Sequence, residues 1–303
     1  MLFARGLAVL FAVPVIAASI NNRAQAAEDF VSTRALGLGG ALRAAAIGDA
    51  GPLLNPSGMS LVKAYTLEAA YGYSTRRSDQ FFHGSIVDTT SAFKIGGGAY
   101  YTYHPSAPAG RPEGSGHEAG LALSVPFSEY AAVGATGKYF RLRGDQAPDG
   151  NSGGMTVDLG ITVRPHASLA AGFVATNVRD LHNREAPRTV GYGVAYNPGA
   201  ELLLAVDGRT SFTDPGFGGH KGTSIMGGGE LFLAHAFGLR AGGGYDAISR
   251  NGYLSLGFSA ISEIGAFDVG ARRDLFRGQL TDGSPSKLET ILAASLRLFI
   301  PQP

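Results

Sequence analysis

From Lys63 onward the chain alternates apolar and polar residues segment after segment, and this constrains what it can fold into more than any other feature. In Gly154 to Arg164, Met155, Val157, Leu159, Ile161 and Val163 share one face, while Thr156, Asp158, Gly160, Thr162 and Arg164 share the other. A period of two belongs to a half-buried strand, because successive side chains of a strand point to opposite sides. The same split recurs in His117 to Phe127, with Leu121, Leu123 and Val125 against Gly120, Ala122 and Ser124, and in Lys287 to Ile300, with Leu292, Leu296 and Leu298 against Ser295 and Arg297. About fourteen such segments follow one another, the first Lys63 to Ser74, the third Phe93 to His104 and the seventh Ser168 to Arg179.

The connections alternate as well. Short turns such as Pro165-His166-Ala167 and His235-Ala236 follow longer polar loops around Ser78, Pro108, Pro148, Asn183, Gly218, Arg250 and Gly283. A soluble sandwich would bury the apolar face and give no reason for this alternation. A transmembrane barrel turns the apolar face to lipid and the polar face to the lumen, with tight turns at one end and loops at the other. The charges agree with the second arrangement. Glu68, Lys94, Glu118, Lys138, Asp158, Arg164, Asp207, Arg209, Glu230, Arg240, Asp268, Arg272, Glu289 and Arg297 all fall in the polar phase, where none of them meets lipid. Their mixed signs predict lumenal salt bridges. Aromatic residues near strand ends, among them Tyr73, Tyr101, Tyr130, Phe237 and Tyr245, fit interfacial girdles.

The N-terminal end reads as an export signal, residues 1–26. Arg5 precedes an apolar stretch from Leu7 to Ala18, and Ala24-Gln25-Ala26 supplies a small-x-small cleavage site. The chain holds no cysteine and so no disulfide framework, and its 25 Lys+Arg against 24 Asp+Glu leave no basic excess for nucleic acid. Its 45 glycines in 303 residues are about twice the usual share. Many of them, including Gly96, Gly98, Gly120, Gly160, Gly172 and Gly242, sit in the polar phase, where small residues leave room inside a barrel.

Residues 27–62 do not alternate. They contain Gly37-Leu38-Gly39-Gly40, then Asp49, then Asn55-Pro56-Ser57-Gly58, which is turn chemistry rather than strand chemistry. A segment of this kind placed before the first strand is expected to fold into the lumen as a plug. The run GLGGALRAAAIGDAGPLLNPSGM, residues 37–59, resembles the N-terminal signature of the FadL and PorV group of outer-membrane proteins, with Ser57 and Met59 where Ala and Leu are usual. The resemblance implies a fourteen-stranded barrel with an N-terminal hatch. It makes Gly37, Gly39, Gly40, Asp49, Asn55, Pro56 and Gly58 the hatch motif. It also suggests a lateral opening in the wall, for which the run Gly96-Gly97-Gly98 of the third strand is the best candidate, since glycines weaken a strand and supply no side chain to close a gap.

The expected fold is therefore an all-β, antiparallel transmembrane barrel of about fourteen strands over residues 63–303, with a hatch in its lumen. It is expected in the outer membrane of a Gram-negative bacterium. The expected function is passive transport of small hydrophobic compounds such as fatty acids. The alternative is a non-transporting, PorV-like scaffold or secretion-accessory barrel that holds an exported protein, and the short polar loops favour it. Partners are then outer-membrane lipid and either a hydrophobic small molecule or an exported protein. No catalytic residue, cofactor or metal site is expected. No hydrolase, phosphate or dinucleotide motif occurs, and His104 and His117, which flank one loop, have no third ligand at useful spacing.

Overall fold

The computed structural model describes residues 32–75, 79–90, 95–105, 116–141, 153–181, 186–212, 222–246, 251–276 and 288–301. The expected signal segment, the first residues of the expected hatch and Lys94 lie outside the described residues. The chain forms β1 (Tyr65–Ser74), β2 (Asp79–Asp88), β3 (Gly96–His104), β4 (Gly116–Ser128), β5 (Ala131–Arg141), β6 (Gly153–His166) and β7 (Leu169–Thr176). It continues with β8 (Thr189–Gly199), β9 (Leu202–Ser211), β10 (Gly222–Leu233), β11 (Phe237–Asp246), β12 (Asn251–Ile261), β13 (Gly265–Asp274) and β14 (Thr290–Phe299). Each strand pairs antiparallel with its sequence neighbours, and β1 pairs with β14, so the sheet closes on itself and leaves no free edge.

Closure decides between the two architectures that alternation allows. Leu121, Val206, Ile225, Leu256 and Leu296 each stand more than half exposed on the outside, whereas Glu230, Arg240, Asp207 and Asp268 are buried within. A continuous apolar outer band around a charged interior is stable in lipid and not in water.

At two of the strand ends that fall short of the alternation a local reason is visible. β1 starts at Tyr65 rather than Lys63 because the Thr89 side chain takes over the ladder: its hydroxyl accepts from Ala64 N at 2.8 Å and donates to Val62 O at 2.6 Å. β7 stops at Thr176 rather than Arg179 because Asn177 has φ 53°, a left-handed conformation that ends a strand. Its N–H is bonded to Asp158 Oδ1 at 2.8 Å instead of to the ladder.

Candidate functional site

Residues 32–61 run through the inside of the ring. A short helix α1 (Thr33–Gly37) lies on β11 to β14, and the 3-10 turn Arg43–Ala45 lies on β7, β8 and β9. The turn Gly48–Ala50 touches β1 and β2, the helix α2 (Gly51–Leu54) touches β3 and β4, and the turn Pro56–Leu61 lies on β3 to β6. Leu38 and Leu42 are fully buried with Leu54, Leu203, Ala205 and Met226 in the largest apolar cluster, each leucine contributing about 1.5–3 kcal/mol by burial.

Small residues in the wall make this seating possible. A Cβ added to Gly242 would stand 2.4 Å from the backbone of Leu38, one on Gly228 2.4 Å from Leu38 O, and one on Gly134 2.5 Å from Ser57 N. Gly39 turns the chain there with φ 70°, and its own Cβ would meet Gly243 N at 2.6 Å. Segment and wall meet backbone to backbone.

Toward β9 to β14 and β1 the segment is fastened by charge. Asp207 Oδ2 accepts from the Leu42 and Arg43 N–H groups, both at 2.9 Å, and from Arg43 Nη1 at 3.1 Å. Arg34 Nη2 donates to Glu230 Oε2 at 2.6 Å, and Glu230 Oε1 accepts from Arg240 Nε at 2.6 Å. Register explains the second pair, because Glu230 and Arg240 stand directly opposite on β10 and β11. Gly257 of β12 lies opposite Arg240, and having no side chain it lets the guanidinium reach across to β13, with Nη1 3.0 Å from Asp268 Oδ1. Asp268 Oδ2 is 2.8 Å from Arg297 Nη2, and Arg297 Nη1 is 3.2 Å from Asp49 of the segment. The chain of charges therefore begins on the segment at Arg34, crosses the wall of β10 to β14, and returns to the segment at Asp49.

Toward β3 to β6 the fastening is neutral. Asn55 Nδ2 donates to Arg43 O at 3.0 Å and Thr162 Oγ1 at 3.1 Å, while its Oδ1 accepts from the Ser57 hydroxyl at 2.7 Å. Ser124 Oγ donates to Ser57 O at 3.0 Å and Thr136 Oγ1 to Pro52 O at 3.2 Å. Between these and β2 lies an apolar cluster of Met59, Val87 and Ala122. Gly98 belongs to this spot: an added Cβ would lie 3.2 Å from Met59 Sδ and 3.3 Å from Val87. Gly96 also faces inward, toward Met59 and Thr89, whereas Gly97 faces out into open space. All three are paired, with Gly97 opposite Asp88 on β2 and Leu123 on β4.

Beside the segment, toward the loop end, is a small polar cavity of about 50 Å³ lined by Arg43, Glu118, Lys138, Asn177 and Arg209 among others. Lys138 Nζ is 2.9 Å from Asp158 Oδ2, and Tyr100 donates to Glu118 at 2.5 Å. Among the described residues, lumenal charges of opposite sign pair along β5, β6 and β9 to β14, as their mixed signs led one to expect.

The motif residues named from sequence meet in this one segment. Gly37 packs on Gly257; Gly40 also has positive φ, at 85°; Asp49 holds Arg297. Asn55 is the hydrogen-bonding hub, Pro56 starts the turn it caps, and a Cβ on Gly58 would lie 2.3 Å from Ala46 O. Sequence reasoning missed Arg34, Arg43 and Met59. The signal for the two arginines was their place in a segment bound for a lumen that carries carboxylates; for Met59 it was only a departure from the usual Leu.

No family model and no curated protein matches the chain. Among solved structures, the CymD monoaromatic hydrocarbon channel matches with TM-score 0.66 over 90% of this chain and 98% of that one, at 13% identity. The Pseudomonas putida toluene transporter TodX matches with TM-score 0.61 over 88% and 96%, at 12% identity. The likeness is one of fold. It covers most of this chain and nearly all of each channel, and it concerns the closed barrel architecture alone.

Proposed function

We propose that this protein is an outer-membrane barrel of the FadL and PorV kind that lets small hydrophobic compounds cross by diffusion, with residues 32–61 as a hatch and Gly96 to Gly98 as a lateral exit into lipid. The observation that carries the reading is the uneven fastening of the hatch. Separating any of its buried ion pairs strands a charge, at a cost of about 3–5 kcal/mol. Met59 rests on Gly98, Val87 and Ala122 by dispersion and burial alone, and an apolar solute arriving there replaces those contacts nearly one for one. Methionine suits the exchange, because its unbranched side chain rearranges easily. The solute is then separated from lipid by one strand that carries no side chain at Gly97 on its outer face. Release requires local loosening of the β3 ladder, which glycines favour. Monoaromatic hydrocarbons, named for CymD and TodX, are the first substrates to try, with fatty acids as a second class.

A chain without native cysteine allows a direct test. A Cβ on Gly96 stands 3.4 Å from Met59 Cβ, near the mean disulfide separation of about 3.8 Å. The double variant M59C/G96C is expected to form a cross-link that ties the hatch to β3. Uptake of a hydrophobic probe is expected to fall at least tenfold when oxidised and to return on reduction. Equal uptake in both states removes the gate.

The second reading, a non-transporting scaffold for an exported protein, is favoured by the charge-paired lumen. It predicts no uptake in the parent protein and partner capture that is indifferent to the cross-link.

A further inference from the structure

The outside of the barrel has one feature that transport does not use. Across β12, β13, β14 and β1 the outer wall dips into an apolar depression of about 540 Å³, within the range of small-ligand pockets. Register shows how it arises. Leu256, Ala271, Leu292 and Tyr73 form one outward row across the four strands, and Phe258, Val269, Ala294 and Tyr71 form the next. The floor is short where Ala271 and Ala294 stand, and the rims are tall at β12 and β1. The Tyr71 rim is braced, its ring 5.2 Å from that of Phe82 and its hydroxyl bonded to Gln80 at 3.3 Å.

One row nearer the loops, the pattern changes from apolar to cationic. Arg273 follows Ala271 on the outer face of β13, one residue from the strand's loop end, and is exposed. It forms no ion pair among the described residues. Its guanidinium donates to the Thr290 hydroxyl, its register partner on β14, and Thr290 N donates to Thr75 Oγ1 at 2.9 Å. Thr290 thus orients a planar fork that keeps most of its N–H donors for a ligand. A cation in the lipid-facing phase is costly in mid-membrane and tolerated at the interface. Its complement there is an anion, and a guanidinium matches a phosphate in geometry as well as charge.

We infer that this face is a seat for one phosphorylated lipid of the outer leaflet, its acyl chain in the depression over Ala271 and Ala294 and its phosphate on Arg273. The inference rests on the membrane reading of the barrel and is independent of what the lumen carries. The seat gives the barrel a fixed lipid contact on the side where the hatch is held by ion pairs.

Native mass spectrometry of the detergent-purified protein tests this, with diphosphorylated lipid A and its dephosphorylated counterpart as probes. The parent is expected to retain one phosphorylated lipid. R273A is expected to weaken retention about tenfold, the loss of one charge-assisted contact. A271L/A294L, which fills the depression, should weaken retention of both probes. R141A is the control: Arg141 also faces outward at the loop end of its strand, with Tyr139 beneath it, and its loss should leave retention unchanged. Equal retention by the parent and R273A overturns the proposal, as does equal retention of the two probes. A heat-modifiable, detergent-requiring barrel that retains no lipid overturns the seat alone, whereas a chain that stays dispersed without detergent overturns the membrane reading itself.

Discussion

Replacing Arg240 with Met lowers the stability of the folded barrel by about 3–5 kcal/mol, the usual cost of breaking a buried ion pair from one side. Arg240 is 4% exposed and lies between Glu230 and Asp268, which are 0% and 1% exposed. Removing it leaves two buried carboxylates with only Arg34 and Arg297 to share their charge. Methionine fills much the same volume, so packing changes little and the loss measures the electrostatics. Urea unfolding in lipid vesicles reads the effect, and a second variant identifies its source. Changing Arg240 and Asp268 together to apolar residues leaves Arg34–Glu230 and Arg297–Asp49 as complete pairs and is expected to recover part of the loss. A shift below about 1 kcal/mol, the value of a solvent-exposed pair, contradicts fastening of residues 32–61 to the wall by charge.

Replacing Gly242 with Val is expected to open the lumen. The added Cβ meets the carbonyl carbon of Leu38 at 2.4 Å and Gly39 N at 2.6 Å. Backbone atoms cannot rotate out of the way, and Gly39 already holds a left-handed turn that other residues adopt at a cost. The strand itself tolerates valine well, so the barrel assembles while α1 and the turn after it cannot seat. A fourteen-stranded ring without its filling lies between the packed eight-stranded barrels and the aqueous sixteen-stranded porins. Single-channel conductance and entry of small polar solutes are expected to rise about tenfold or more over the parent. Unchanged conductance in an assembled variant would mean that the segment does not close the lumen.

The strand ring was legible because a period of two leaves little freedom: a slip of one residue would turn Leu159 and Ile161 inward and Asp158 outward. Its end points were less so, since Lys63 and Arg179 continue the alternation while Thr89 and Asp158 capture the backbone groups that would extend the ladder. Which lumenal charges pair was not legible. Glu230 and Arg240 meet through hairpin register, but Arg240 reaches Asp268 only because Gly257 leaves the way open, and Arg297 meets Asp49 only once residues 32–61 lie inside the ring. Residues 32–61 stood apart in the sequence as glycines and an Asn-Pro turn without alternation, yet their path inside the ring was not legible, because a segment shaped by contact with all sides of a ring carries no period of its own.

Passage of small hydrophobic compounds is measured most directly by uptake. Gram-negative cells producing the protein, and otherwise identical cells lacking it, are given a radiolabelled monoaromatic hydrocarbon at a concentration where outer-membrane entry limits the rate. Faster uptake is expected in the producing cells, with no matching gain for a small polar solute. Equal hydrocarbon uptake, with the barrel demonstrably assembled in the outer membrane, would contradict it and leave the scaffold in its place.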